Sequence, residues 1–413
     1  MIEQNLVVKI PPMLAGTELL SALEVLPDYD ESIRDLDAAT RLMALSDLYK
    51  LYLPSQMSVE IYSKLYLALL RSLQKKQTSL AIQQQTQNYR AIRQQTYSGI
   101  IGGSDSFTII GASGIGKSTA ISRAISLITG NSVIEVEEPY TTIIPCLVVQ
   151  CPFDSSVKGL LLEILRKVDE NLGSKYYENA MRVRATTDML IGSVSQVALN
   201  HIGLLIVDEI QNVVNSKHGK SLVGALTQLI NNSGISVCMV GTPESALFFE
   251  QAMQLARRSL GIQYGSMGYD AYFEEFCDVL FSYQFVRNET ILTPGIMEWL
   301  YEHSAGIISV VVSLVHDAQE IAILSGKESL NLETLNMAYQ QRLSLLHGYI
   351  EPAITKKPQT TITKQNAPAT RASANTAIEN ENIISQLVTM AKNQQLDLLP
   401  MLKDYMSIVE VSI

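Results

Sequence analysis

The stretch "FTIIGASGIGKSTAI", residues 107–121, constrains this chain more than any other. β-Branched and apolar residues run into an octet, Gly111-Ala112-Ser113-Gly114-Ile115-Gly116-Lys117-Ser118, that fits the P-loop pattern G-x-x-x-x-G-K-[ST] without a mismatch. Each residue type there has a task. Glycines let backbone N–H groups converge on phosphate oxygens where a Cβ would intrude. Lys117 brings a compact positive charge to the β- and γ-phosphates, and Ser118 offers a hydroxyl to Mg²⁺. The helix opening there, with Thr119 counted among the nucleotide-binding positions, turns its positive end toward the anion. A chance glycine-rich turn would lack the strand before the octet and the helix after it.

Such a loop belongs to a parallel α/β sheet, and residues 106–290 alternate short apolar runs with amphipathic ones. Strands are expected at Phe107–Ile110, Ile144–Gln150, Gly203–Val207, Ile235–Val240 and Leu280–Phe285, which makes a five-stranded parallel sheet. The third of these ends in "GLLIVDEIQ". Two carboxylates at the tip of a buried strand are costly without a cation or a reacting water beside them. Asp208 is placed to hold Mg²⁺ through its water shell, and Glu209 to orient and polarise the attacking water. The fourth run, "ISVCMVGTPES", ends in Gly-Thr-Pro, where Thr242 either hydrogen-bonds the γ-phosphate or the lytic water, or simply forms a turn. "QAMQLARRSLG" puts Arg257 and Arg258 near a helix C-terminus. They either complement the helix dipole or act in trans on a neighbour's nucleotide.

The rest of the chain divides by texture. Residues 1–105 read as a helical N-terminal region: "RLMALSDLYKLYLP" spaces Leu42, Leu45, Leu48 and Tyr49 helically and stops at Pro54, and "SVEIYSKLYLALLRSL" does the same with Ile61, Leu65, Ala68 and Leu69. Residues 291–350 form an all-helical lid, with proline openings and glycine stops. Residues 351–382 lack aromatics and read as a disordered linker. Residues 383–413 regain apolar periodicity as a helical tail that docks either on a partner or on the body. At 47% hydrophobic and 17% charged, most of the chain can bury a core. Cys146, Cys151, Cys238 and Cys277 have no metal-ligand spacing and read as reduced thiols. The N-terminus has no signal-peptide pattern, and no apolar run reaches the ~18 residues of a membrane span, so a cytoplasmic protein without a membrane is expected. The net charge of -10 does not advertise nucleic acid, although phosphate affinity depends on where cations cluster.

The P-loop, the Asp-Glu pair, the threonine, the paired arginines and the helical lid together resemble an AAA+ ATPase. Within that superfamily "VVQCPFDSSVKGLLLEILRKVDENLGSKYY", "HIGLLIVDEIQNV" and "WLYEHSAGIISVVVSLVHDAQEIAILSG" resemble the TnsC-type regulators of heteromeric cut-and-paste transposons, with TniB and MuB as more distant relatives. The likeness covers about residues 40–350. It implies ATP-driven homo-oligomerisation, as a ring or helical filament, on double-stranded DNA. It also implies a link between a TniQ/TnsD-type target selector, facing the N-terminal helices, and transposase subunits of the TnsA/TnsB type, with hydrolysis disassembling the oligomer. By resemblance, Lys117, Ser118, Asp208, Glu209 and Thr242 carry the nucleotide roles, and Arg257 or Arg258 is the finger. The insert after the second strand would supply DNA contacts, where Lys158, Lys175, Arg182 and Arg184 are the available cations; the plain alternative for each is a surface charge. One departure stands out. Where many AAA+ lids carry an arginine that reaches the nucleotide, "HSAGIISVVVSL" offers Ser309.

A different class, a signalling-type P-loop ATPase that assembles with proteins alone, shares the nucleotide site and suits the acidic balance. A metabolic kinase would need a substrate-hydroxyl site and a separate base, for which the sequence has no candidate.

Overall fold

The computed structural model describes residues 6–76, 106–130, 133–136, 141–154, 156–213, 219–245 and 261–343. The described residues all lie in one compact unit. The expected linker and tail, and the pair Arg257 and Arg258, lie outside the described residues.

Six strands form the sheet: β1 Ser106–Gly111, β2 Ile134–Val136, β3 Thr141–Gln150, β4 Ile202–Asp208, β5 Ser236–Gly241 and β6 Ile262–Tyr264. Their order is β2-β3-β4-β5-β1-β6, parallel throughout except for the antiparallel edge strand β2. Among the described residues, three N-terminal helices precede the sheet: α1 Gly16–Leu23, α2 Ala38–Leu45 and α3 Gln56–Lys76. Within the core lie α4 Lys117–Thr129, α5 Val157–Leu172, α6 Tyr176–Arg182, α7 Thr187–His201 and α8 Gly219–Ser233. Four more follow: α9 Ala271–Ser282, α10 Pro294–Ser304, α11 Ile308–Ser325 and α12 Leu332–Arg342.

The central strands are buried on both faces, as parallel strands between helical layers must be. Phe107, Ile109, Leu204, Ile206, Cys238 and Val240 pack on one side against α3 and α4. Leu205, Val207, Val237 and Met239 pack on the other against α5, α7 and α8. Helix α3 belongs to the first layer because Ile61, Leu65, Leu69 and Leu73 repeat at helical spacing and are fully buried. Each contributes about 1.5–3 kcal/mol of burial. The close approach of α3 to β4 needs Gly203: a Cβ there would lie 2.6 Å from Leu69 Cδ1 and 2.5 Å from the Pro145 carbonyl oxygen. Ser72 Oγ donates to the Gly203 carbonyl at 2.5 Å.

Helix α2 and the 3-10 turn Ser46–Lys50 pack elsewhere. Leu45, Leu48, Leu51 and Leu53 join α9, α10, α11 and α12 in one core. Arg41, 1% exposed, forms a two-pronged ion pair with Glu328, both contacts 2.7 Å, and donates to the Phe285 carbonyl at 3.0 Å. The N-terminal stretch therefore divides between sheet and lid at the segment 51–55, which carries Pro54.

Two expectations are corrected. The fifth parallel strand is β6, not Leu280–Phe285. Phe273, Phe276, Cys277, Leu280 and Phe281 are buried at helical spacing, and Asp270 caps the helix by accepting from the Phe273 N–H at 3.1 Å. Beyond α9 the backbone is satisfied by side chains rather than by a ladder. The Phe285 N–H donates to Gln319 Oε1 at 2.7 Å, and Gln319 Nε2 donates to the Tyr283 carbonyl at 3.1 Å. Helix α11 is also long and apolar enough, by length and composition alone, to cross a membrane. Its Val311, Leu314, Val315, Ala318 and Ala322 are fully buried in the lid core.

Candidate nucleotide-binding site

The order β4-β5-β1 brings three C-terminal strand tips to one edge, where ligands of open α/β sheets bind. Register puts Ile110 beside Gly241 and Val207 beside Met239, so the residues after β1, β4 and β5 share one level. A cavity of about 240 Å³ opens there, lined by the loop residues Ser113, Gly114, Gly116, Lys117, Ser118 and Thr119, by Asp208, Glu209 and Gln211, by Gly241 and Thr242, and by Ser309 of the lid.

The loop's shape depends on its glycines. Gly114 and Gly116 adopt φ of +81° and +94°, which disfavours any side chain. Gly116 caps α4. Lys117 Nζ folds back to donate to the carbonyls of Gly111 at 2.7 Å and Ala112 at 2.8 Å. Burial lowers the Lys117 pKa, while the carboxylates of Asp208, Glu209 and Glu244 oppose that shift. Ser118 Oγ donates to Asp208 Oδ2 at 3.3 Å. A hydroxyl and a carboxylate oxygen so close, open to solvent on the loop side, suit a hard divalent cation that keeps several waters. Ala112 and Ile115 shape the loop from behind: Ile115 is buried, and Ala112 packs partly buried in the same core.

The strand β4 tip is braced. The Cys151 N–H donates to the Asp208 carbonyl at 2.8 Å, and the Glu209 N–H donates to Asp208 Oδ1 at 2.8 Å. Glu209 sits in left-handed backbone, φ +58°, a conformation that costs a non-glycine residue about 1–3 kcal/mol and clusters at functional sites. Gln211, on the 3-10 turn Ile210–Val213, donates from Nε2 to Glu209 Oε2 and accepts the Thr242 N–H on Oε1 at 3.3 Å. Glu244 lies beside them. A hydrogen bond from the Thr242 side chain holds its carboxyl below the ordinary range, with the Lys117 charge adding to the effect.

The lid reaches the loop directly. The Ser309 N–H donates to the Gly114 carbonyl at 3.1 Å, and a Cβ on Gly114 would fall 2.3 Å from Ser309 Oγ and 2.9 Å from Ile307 Cγ2. The structure thus gathers Ser113, Gly114, Gly116, Lys117, Ser118, Thr119, Asp208, Glu209 and Thr242 around one cavity, with Gly111, Ala112 and Ile115 outside its lining. Gln211, Glu244 and the main chain of Ser309 join them, and sequence reading gave these no role. The only available signal was for Gln211, a polar residue two positions past Glu209.

The basic residues of the insert are not brought to one place. Lys158 opens α5 and Lys175 lies beyond its far end, about 24 Å away along the axis. Arg182 and Arg184 sit together at the corner before α7, Arg184 with φ +50°. All four are exposed, and none has a carboxylate partner among the described residues.

Residues 102–262 match the family model described as Bacterial TniB protein. Over this segment, under half of the chain, the core is similar to that family. TniB proteins are transposition-associated AAA+ ATPases related to TnsC and MuB, so the resemblance in the sequence and the α/β core with its helical lid agree. The matched TniB segment runs from just before β1 to the first residue of β6 and leaves the lid outside. No curated protein matches the chain. Solved structures similar to it include the Aeropyrum pernix ORC1 protein in complex with DNA, at 16% identity and a TM-score of 0.40, covering 63% of this chain and 64% of that one. Drosophila ORC bound to DNA matches at 13% identity and a TM-score of 0.44, covering 99% of this chain and 86% of that one. Cdc6p from Pyrobaculum aerophilum matches at 11% and 0.40, covering 62% and 65%. This chain spans under two thirds of the ORC1 chain's length, and at such scores no function passes from these proteins to it.

Proposed function

We infer that this protein is an ATP hydrolase of DNA transposition. With ATP and Mg²⁺ it assembles as a ring or filament on double-stranded DNA and couples a TniQ/TnsD-type target selector to TnsA/TnsB-type transposase subunits, and hydrolysis takes the assembly apart. The observation that carries this reading is the convergence of the loop at 111–118, Asp208 and Glu209 on one cavity inside a core similar to the TniB family.

The chain's own residues divide the work. Loop N–H groups and Lys117 bind the phosphates. Ser118 and Asp208 would hold Mg²⁺, which neutralises charge on the phosphate oxygens when bound. Glu209 orients the attacking water, and Thr242 holds the end of β5 toward the γ-phosphate. Arg257 or Arg258 would enter a neighbour's site. Lys158, Lys175, Arg182 and Arg184 are candidate phosphate contacts, their separation favouring DNA that tracks along an assembly rather than across one subunit. Residues 1–105 would face the selector, residues 106–290 and 291–350 would serve as nucleotide core and lid, and the segment 383–413, tethered by 351–382, would dock a partner. The four free cysteines suit the cytoplasm as its compartment.

The test is electron microscopy with short duplex DNA under ATP, a slowly hydrolysed analogue, ADP and no nucleotide. Ordered oligomers that need both DNA and a triphosphate are expected. Glu209→Gln should assemble without turnover, and Lys117→Ala should not assemble. Particles indifferent to DNA under every nucleotide would overturn the reading in favour of an ATPase that assembles with proteins alone.

A further inference from the structure

The geometry points to Gln211 as a positioning residue that sets the Glu209 carboxylate and ties it to the end of β5. This deepens the hydrolase reading and rests on it.

Both polar atoms of the Gln211 amide are engaged, and on two different strands' tips. Its Nε2 donates to Glu209 Oε2, and its Oε1 accepts the Thr242 N–H at 3.3 Å. The second contact is built into the packing. A Cβ on Gly241 would lie 2.6 Å from Ile210 Cγ2 and 3.2 Å from Gln211 Oε1, so the end of β5 is pressed against the turn that carries the amide. The turn itself is fixed: Ile210 is fully buried, the Asn212 N–H donates to the Glu209 carbonyl at 3.1 Å, and Asn212 Nδ2 donates to the Cys151 carbonyl at 3.0 Å.

Chemistry explains why an amide suits this place. A carboxylate that works on water needs one oxygen held and the other open, and Glu209 Oε1 has no protein partner among the described residues. A neutral amide donor fixes the group without setting a second charge beside it. In hydrolysis the water oxygen bonds to the γ-phosphorus while the bridging P–O bond breaks and leaves its electron pair on ADP. The water's proton passes to the phosphate product by way of the carboxylate. Because the same amide holds the Thr242 N–H, a shift of the β5 end on nucleotide binding is handed to Glu209 through one rigid, planar group.

The test compares Gln211→Met, which keeps length and removes both polar atoms, with Gln211→Glu, which keeps the acceptor for Thr242 and sets a like charge against Glu209. Hydrolysis is measured with duplex DNA present, in steady state and in single turnover. Gln211→Met should lower kcat about tenfold to a hundredfold with KM for ATP and nucleotide Kd changed less than about threefold. Gln211→Glu should be at least as slow. In a Glu209→Gln background, adding Gln211→Met should leave the single-turnover rate within about twofold, since the residue acts only through the carboxylate. Wild-type kcat in both variants, a change confined to KM, or a loss that persists undiminished in the Glu209→Gln background would overturn the role of Gln211. The hydrolase reading fails separately, by Glu209→Gln turning over like wild type.

Discussion

The Arg41–Glu328 pair fastens the N-terminal helix α2 to the lid, and Arg41→Met measures how tightly. Arg41 is 1% exposed on its side chain and Glu328 is 19% exposed. The substitution keeps the apolar stem but leaves the carboxylate with only the Arg287 N–H, which it accepts at 3.3 Å, and the weaker attraction of the Arg287 charge. Removing one partner of a buried pair costs about 3–5 kcal/mol, and the partial exposure of Glu328 puts this case near 3. Lys50→Met, at the exposed pair with Asp47, is the control and should cost under about 1 kcal/mol. The double variant Arg41→Met/Glu328→Asn should recover at least half of the loss. It removes the stranded charge, and asparagine tolerates the left-handed φ of +53° at that position. Urea unfolding followed by fluorescence reads this directly, because the single tryptophan, Trp299, lies in the lid core stacked on His303 at 3.9 Å. The Arg41 hydrogen bonds hold the Glu328 carboxyl below its ordinary value. The pair's contribution is therefore fully present above the ordinary carboxylate pKa of about 4.3 and is lost as pH falls through the lower folded value. A cost under about 1 kcal/mol for Arg41→Met at neutral pH, or a double variant less stable than the single one, would refute the clamp.

Three further outcomes follow from the packing. Gly114→Ala, which sets a Cβ 2.3 Å from Ser309 Oγ at φ +81°, should weaken nucleotide binding at least about fivefold, read by titration with a fluorescent ATP analogue; unchanged affinity would mean the loop does not need this shape. Gly203→Ala should lower the unfolding free energy measured by urea denaturation by about 2 kcal/mol or more, since both the Pro145 backbone and Leu69 stand in the way of the methyl; a change within error would mean α3 moves freely over β4. Lys76 is buried, donates to the carbonyls of Ala198 and Leu199 at the end of α7, and is pushed down by burial to about 7. The unfolded chain then holds more protons between that value and the ordinary lysine pKa of about 10.4, so stability should rise with pH across that window and Lys76→Met should flatten the rise.

The nucleotide site was legible because its chemistry is local. The octet, the strand before it and the Asp-Glu tip of β4 are contiguous segments whose residue types have few other uses, and the structure gathers them at one cavity. Partners across the fold were less legible. The apolar periodicity of α2 and α3 marks both as helices, yet nothing in either says that one covers the sheet and the other the lid. The strand β6 has three residues, half-buried or exposed, so no apolar run announces it. "LFSYQF" looks like a strand by residue type, while the helical spacing from Phe273 to Phe281 and the buried side chain of Gln319 decide otherwise. Gln211 was hidden for the same reason: its meaning lies in the Thr242 N–H, which the sequence places thirty-one positions away.

The contact between lid and loop has a consequence for what the lid is able to measure. An arginine in its place would read phosphate charge, and its grip would fade with ionic strength. Ser309 holds Gly114 by main chain alone, N–H to carbonyl. In a loop of this kind the N–H groups turn to the phosphates, so the lid takes the opposite pole of the peptide and does not compete with the nucleotide. The lid is then a gauge of the loop's curvature, insensitive to salt. On the proposed reading, telling a triphosphate from a diphosphate falls to Lys117 and to the residues beyond β4 and β5, not to the lid.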